Sequence, residues 1–143
     1  MISVLIIAHQ PLATALLGCC RHIYRGLQAA ALDIIPDEDP DQALQEAKSL
    51  AARINDGSGQ VVLTDLYGAT PARIAVQMAR QGRVSVFYGV NLPMLLKVLN
   101  YRARLPLSEL EALVLRDAGE GVGLVESDNP PGRLLVPSPS AAL

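Results

Sequence analysis

A histidine, a carboxylate and three proline-marked turns are the residues of this chain whose types and spacing could act together. His9 ends an uncharged apolar run, Ile2 to Ala8, and Pro11 follows two residues later. A proline can open a helix because it lacks an N–H that the first turn would leave unpaired. Asp65 lies near the end of another apolar run, Gln60 to Leu66, with Gly68-Ala69-Thr70-Pro71 directly after it. Gly89-Val90-Asn91-Leu92-Pro93 repeats the same grammar. In a doubly wound sheet such strand-to-helix turns share one edge, at the carboxyl ends of the strands. Free N–H groups at helix starts favour an anion there, a phosphate in particular. If the strands carrying His9 and Asp65 are neighbours, the carboxylate can accept a bond from one ring nitrogen. That would fix the tautomer and leave the other nitrogen as a nucleophile. An Asp–His pair beside open N–H donors and the Thr70 hydroxyl suits phosphoryl transfer, where positioning and charge stabilisation do most of the work. Each part also has a plainer reading: Asp65 as a turn cap, Thr70 as a helix cap, Gly68 and Gly89 as tight-turn residues. The coincidence of the three turns favours a site.

The elements that must position these residues alternate. The first run is uncharged, as suits a strand buried on both faces. Leu12, Ala15, Leu16, Cys19 and Ile23 then recur at helical spacing up to Gly26. Cys19 falls on that apolar stripe and reads as a small buried hydrophobe, and His22 as a solvated helix residue. Ala29 to Ile35 is a second strand. The next helix has Asp39 as N-cap and Pro40 as first residue, with Ala43, Leu44, Ala47, Leu50, Ala51 and Ile54 as its inner face. Gln60 to Leu66 is the third strand. Thr70 as N-cap and Pro71 start a helix with Ile74, Ala75, Met78 and Ala79 inward. Arg83 to Tyr88 is the fourth strand, and a helix follows through Met94, Leu95, Val98 and Leu99. Ser108 and Glu111 form a capping box for a last helix to about Ala118. There is room for a short fifth strand, Val122 to Glu126. The rhythm predicts an α/β fold, a doubly wound, mostly parallel five-stranded sheet with helices on both faces. Residues 1–126 form one domain, and the proline-rich stretch 127–143 reads as a flexible tail.

With 143 residues the chain buries about 70% of its unfolded surface, enough for a full core. A net charge of −2 and the absence of a basic run argue against a phosphate-backbone binder. One phenylalanine and four tyrosines give few platforms for stacking nucleic-acid bases. No run approaches the ~20 apolar residues of a membrane helix. The start lacks a basic region and a small-residue cleavage site, so a cytoplasmic location is expected. Two adjacent cysteines and two distant histidines do not make a zinc site, and no metal or organic cofactor is expected.

Two families with this architecture fail on residues. A response-regulator receiver domain carries an Asp after its third strand, but it also needs an acidic pair after the first strand and a Lys after the fifth. Here the first strand ends in His9-Gln10 and no Lys follows Lys97. A dinucleotide-binding domain needs a G-x-G-x-x-G turn after the first strand, which is missing. Three blocks match elsewhere: Met1 through His9, Leu63-Thr64-Asp65-Leu66-Tyr67-Gly68-Ala69-Thr70-Pro71, and Gly89-Val90-Asn91-Leu92-Pro93-Met94-Leu95. Together they resemble the mannose-family enzyme IIA domains of the bacterial phosphoenolpyruvate–sugar phosphotransferase system.

The resemblance implies that His9 is the phosphorylated histidine, charged by the phosphocarrier HPr, with Asp65 as its carboxylate partner. It implies Gly68, Ala69 and Thr70 as phosphate-cradling residues, and a homodimer of four parallel strands plus an antiparallel edge strand per chain. Gln10 stands where the family usually has Gly, a change that bears on docking of the phosphocarrier. Ala69 replaces the second glycine of the family turn, so residue 69 should not need a positive φ. The tail is like the linker that leads many relatives into a IIB domain. Two roles follow as expectations: passing phosphate to a separate IIB protein of a sugar transport system, or a stand-alone regulatory module whose phosphorylation state controls a protein partner.

Overall fold

The computed structural model describes residues 1–80 and 82–125, and the tail 127–143 lies outside them. Four strands, β1 (Ser3–His9), β2 (Ala29–Ile34), β3 (Gln60–Thr64) and β4 (Val84–Phe87), alternate with α1 (Leu12–Arg21), α2 (Pro40–Ile54), α3 (Thr70–Met78) and α4 (Leu92–Tyr101). A fifth helix, α5 (Leu107–Arg116), closes the described chain. The sheet has the order β2-β1-β3-β4 and every pairing is parallel. The chain winds outward from β1 to β2, then crosses to β3 on the other side. The winding therefore reverses between β1 and β3, the place where open α/β sheets bind ligands.

The alternation of side chains along each strand sorts the core into two layers. Val4, Ile6 and Ala8 face one layer with Leu16, Leu17, Leu95, Val98 and Leu110 of α1, α4 and α5. Leu5 and Ile7 face the other, with Ala43, Ala47 and Ala51 of α2 and Ile74, Ala75 and Met78 of α3. Three alanines one turn apart let α2 lie close on the sheet. Asp39 caps that helix, accepting from the Asp41 N–H at 3.0 Å, with Pro40 as its first residue.

Several local expectations need correction. The sheet has four strands among the described residues, not five, with no antiparallel edge. Residues 122–125 pair with no strand, and Val122, Leu124 and Val125 are 80%, 84% and 91% exposed. The turn before them is clamped to α4: buried Lys97 donates to Asp117 at 2.9 Å and to Glu120 at 3.1 Å. A methyl group at position 121 would collide with Pro93, so Gly121 completes that clamp. The Asp117 carboxyl is held well below the usual carboxylate range by the hydrogen bonds from Arg116 and Lys97.

On α1 the inner face is Ala13, Leu16, Leu17 and Cys20, one residue out of phase with the expected stripe. Cys20 is therefore the buried cysteine, its thiol pushed up to about 11 by burial, and Cys19 is exposed. The helix ends at Arg21, before Gly26, and His22 is exposed. Ala79 lies just past α3 and is exposed. The capping box on α5 does not form, because the helix begins two residues earlier than a Ser108 cap would place it. Pro106 is its N-cap and Ser108 sits inside the first turn.

Candidate functional site

The register of the sheet decides which side chains meet. Ile7 lies opposite Thr64, so His9 and Asp65 emerge side by side where β1 and β3 end. His9 Nδ1–H donates to Asp65 Oδ2 at 2.7 Å, and the His9 backbone N–H donates to the same oxygen at 3.0 Å. The Leu66 N–H donates to Oδ1 at 2.8 Å. Burial works against the charge on Asp65, yet these bonds from His9 and Leu66 outweigh it and hold the carboxyl below its ordinary value. A carboxylate can only accept, so it places the ring proton on Nδ1 and leaves a lone pair on Nε2. The His9 side chain is 51% exposed while that of Asp65 is 14% exposed. One nitrogen is thus anchored, and the other faces outward.

The three proline turns share this edge but differ in what their helix starts have left over. At α1 the chain enters through a cis Gln10–Pro11 peptide. Asp33 from the end of β2 already sits there, accepting from the Thr14 N–H at 3.1 Å and the Thr14 hydroxyl at 2.5 Å. At α4, Asn91 caps the Met94 N–H at 2.9 Å and donates to the Gly89 carbonyl at 3.2 Å. That turn works as a buttress. Gly89 N–H donates to the Asp65 carbonyl at 2.7 Å and Val90 N–H to Thr64 at 3.0 Å, which fixes the loop that carries Asp65.

Neither α1 nor α3 is capped by its own N-cap side chain, but among the described residues α3 is the one of the three whose first-turn N–H groups no side chain reaches. Ala69, not Thr70, is its N-cap residue, and Thr70 and Pro71 are the first two helical residues. The expected capping role of Thr70 does not form, and its exposed side chain is left for other use. Ala69 has φ −80°, and Gly68 takes the positive φ of 87° that the turn requires. The Ala69 N–H is spent on the Leu66 carbonyl at 3.2 Å. Of the segment 68–70, the N–H groups of Gly68 and Thr70 remain open among the described residues. An anion is favoured at such a helix start.

Two features were missed in the sequence. Asp33 braces α1 behind His9, and the signal was an acid near the end of an otherwise apolar strand. Tyr67 and Tyr88 pack with ring centroids 5.0 Å apart on the rim, 71% and 63% exposed beside Leu66 at 65%. No spacing rule links residues 67 and 88; only the β3–β4 adjacency does. Among the described residues no group of three or more His, Cys, Asp and Glu side chains could hold a metal ion.

Comparison with known proteins agrees with this architecture. Residues 3–115 match the EIIA-man family model, described as the PTS system fructose IIA component. No curated protein matches the chain. Among solved structures, the phosphotransferase system component EIIA from Streptococcus agalactiae superposes with a TM-score of 0.75 at 22% identity, covering 86% of this chain and 96% of its own. The mannose/sorbose-specific IIA subunit from Enterococcus faecalis gives 0.73 at 20%, covering 87% and 95%. The PTS IIA protein associated with the fucose utilisation operon of Streptococcus pneumoniae gives 0.66 at 21%, covering 82% and 93%. Matched to the family model over most of its length and sharing its fold with these IIA structures, the chain belongs to the EIIA-man family of phosphotransferase system components.

Proposed function

We propose that this chain is a phosphocarrier that accepts a phosphoryl group from HPr on His9 and passes it to a IIB acceptor of a sugar phosphotransferase system. The observation that carries the reading is the Nδ1–Asp65 bond of 2.7 Å, which leaves Nε2 as the nucleophile on an exposed ring. In the transfer, the Nε2 lone pair forms a bond to phosphorus as the P–N bond to the donor's histidine breaks. The electron pair of that bond returns to the donor. Asp65 holds the positive charge that develops on the His9 ring. The N–H groups of Gly68 and Thr70 and the Thr70 hydroxyl take the phosphoryl oxygens, and Ala69 shapes the turn without donating. The exposed rim of Leu66, Tyr67 and Tyr88 supplies apolar area for the protein partner. No helix among the described residues is long and apolar enough to cross a membrane, consistent with exchange between cytoplasmic carriers.

Incubation with phosphoenolpyruvate, enzyme I and HPr should place one acid-labile phosphate on each chain, and omission of HPr should remove it. A chain that stays unlabelled with all three present, while HPr itself is charged, would overturn the assignment.

The same reading includes a homodimer. Among the described residues strand β4 is an edge with one side of its backbone unpaired, and residues 122–125 leave the domain exposed and apolar after Gly119 and Gly121. An edge strand and an unpaired apolar segment satisfy each other when exchanged between two copies. Light scattering at micromolar concentration should give the dimer mass, and a monomer mass would count against it.

A further inference from the structure

At the opposite edge of the sheet, where β1 begins, Arg102 is only 6% exposed yet has no carboxylate partner among the described residues. Its one hydrogen bond runs from a guanidinium N–H to the Gln28 carbonyl at 2.7 Å, which leaves most of the five donors unused. The side chain lines a cavity of about 260 Å³ together with Arg25, Arg104, Tyr24, Leu27 and Leu99. Among the described residues no Asp or Glu lines this cavity. Asp56 is occupied by the ammonium of Met1. The acidic hydroxyl nearest in kind, Tyr24, donates to Asn100, and burial pushes its pKa up to about 12, so it offers no counter-charge. Burial also pulls the Arg102 guanidinium below its usual value.

Cations near the end of α4 are favourable for the helix dipole, and that accounts for the exposed Arg104. It does not account for Arg102, a residue only 6% exposed whose unbonded guanidinium nitrogens keep contact with solvent instead of being sealed in the core. A buried charge is ordinarily paired, and an arginine fork without its acid is the arrangement that an oxyanion completes.

We propose that this cavity is an anion site, built to hold the phosphate group of a small organic phosphate between Arg25, Arg102 and Arg104. Three arginines line one volume, and guanidinium geometry matches phosphate oxygens in pairs. Leu27 and Leu99 give the rest of the ligand an apolar wall. The volume is a little below the ~300–1,000 Å³ typical of larger ligand sites, which selects a compact metabolite rather than a nucleotide. The full length of β1 separates this site from His9, so it does not depend on the phosphotransfer reading.

The test is a titration of the ¹⁵N-labelled protein with glycerol 3-phosphate and with inorganic phosphate, at ionic strength held constant with sodium chloride. Saturable shifts are expected at Leu27, Gln28 and Arg102, with a Kd of about 1 mM or tighter. The glycerol ester should bind tighter than phosphate alone. Replacing the two exposed arginines together, Arg25→Ala with Arg104→Ala, should leave the fold intact and weaken binding roughly tenfold or more, as loss of charge-assisted bonds does. His9→Ala should bind as the wild type does. Shifts that merely follow ionic strength, shifts that centre on Gly68 to Thr70, or binding unchanged in the double variant would each overturn the proposal.

Discussion

His9→Ala should abolish phosphate acceptance, by a factor on the order of a thousand or more, while His22→Ala leaves it unchanged. Loss of the nucleophile itself has effects of at least this scale where the rest of the site cannot substitute for it. The two histidines differ in every feature the chemistry needs. His9 stands at the carboxyl edge of the sheet, anchored through Nδ1 to Asp65 and 51% exposed. His22 follows the last residue of α1 and is exposed, with no hydrogen bond to its ring among the described residues. The His9 ring buries nothing of the core, so the variant should unfold at the wild-type denaturant midpoint. Acid-labile label after incubation with phosphoenolpyruvate, enzyme I and HPr is the measurement. Label that survives in His9→Ala and disappears in His22→Ala would reverse the assignment.

Asp65→Asn should slow acceptance roughly ten- to a hundredfold, the range lost when a carboxylate that orients a reactive histidine is removed. The geometry explains why an amide of the same shape is a poor substitute. Both oxygens of Asp65 accept: Oδ2 from the His9 N–H and ring, Oδ1 from the Leu66 N–H. In one orientation of Asn the NH2 group faces the Leu66 N–H, donor against donor. In the other it faces His9, where it opposes the backbone N–H and demands an unprotonated Nδ1. The ring proton then moves to Nε2, the atom that should attack. Nitrogen NMR of the His9 ring should show the Nδ1–H tautomer in the wild type and its loss or mixing in the variant. Acceptance rates within about twofold, with an unchanged tautomer, would show that Asp65 only shapes its turn. His9 would then act without an orienting carboxylate.

The strands and helices were legible where one physical signal dominated. The uncharged run before His9 could only be a strand covered on both faces, and Ser3 to Ala8 are buried. Asp39-Pro40 announced a helix start because both residues serve the same unpaired N–H groups. Errors arose where neighbouring residues offered nearly equal choices. Leu12, Ala15, Leu16 and Cys19 trace almost as good a stripe as Ala13, Leu16, Leu17 and Cys20, and only packing against the sheet selects the second. Thr70 and Ser108 are good capping residues one and two positions too late, because Pro71 is accepted at the second helical position and Pro106 can serve as the cap itself.

By itself the sequence determined the order of the elements and the turns that collect at one edge, and it marked His9 and Asp65 as candidates there. Those follow from hydrophobic period and from proline and glycine, which act over a few residues of chain. Tertiary structure alone decided the rest. The β1–β3 register brings residues 56 apart in the chain to 2.7 Å. It also chooses among three similar turns, because Asp33 and Asn91 close two helix starts and leave that of α3 open. Among the described residues, the exit of residues 122–125 without a strand partner, and the buried residue Arg102 without an acid, have no sequence signal either. Whether an edge or a charge is paired depends on what the fold packs against it, and that is set by contacts distant in the chain.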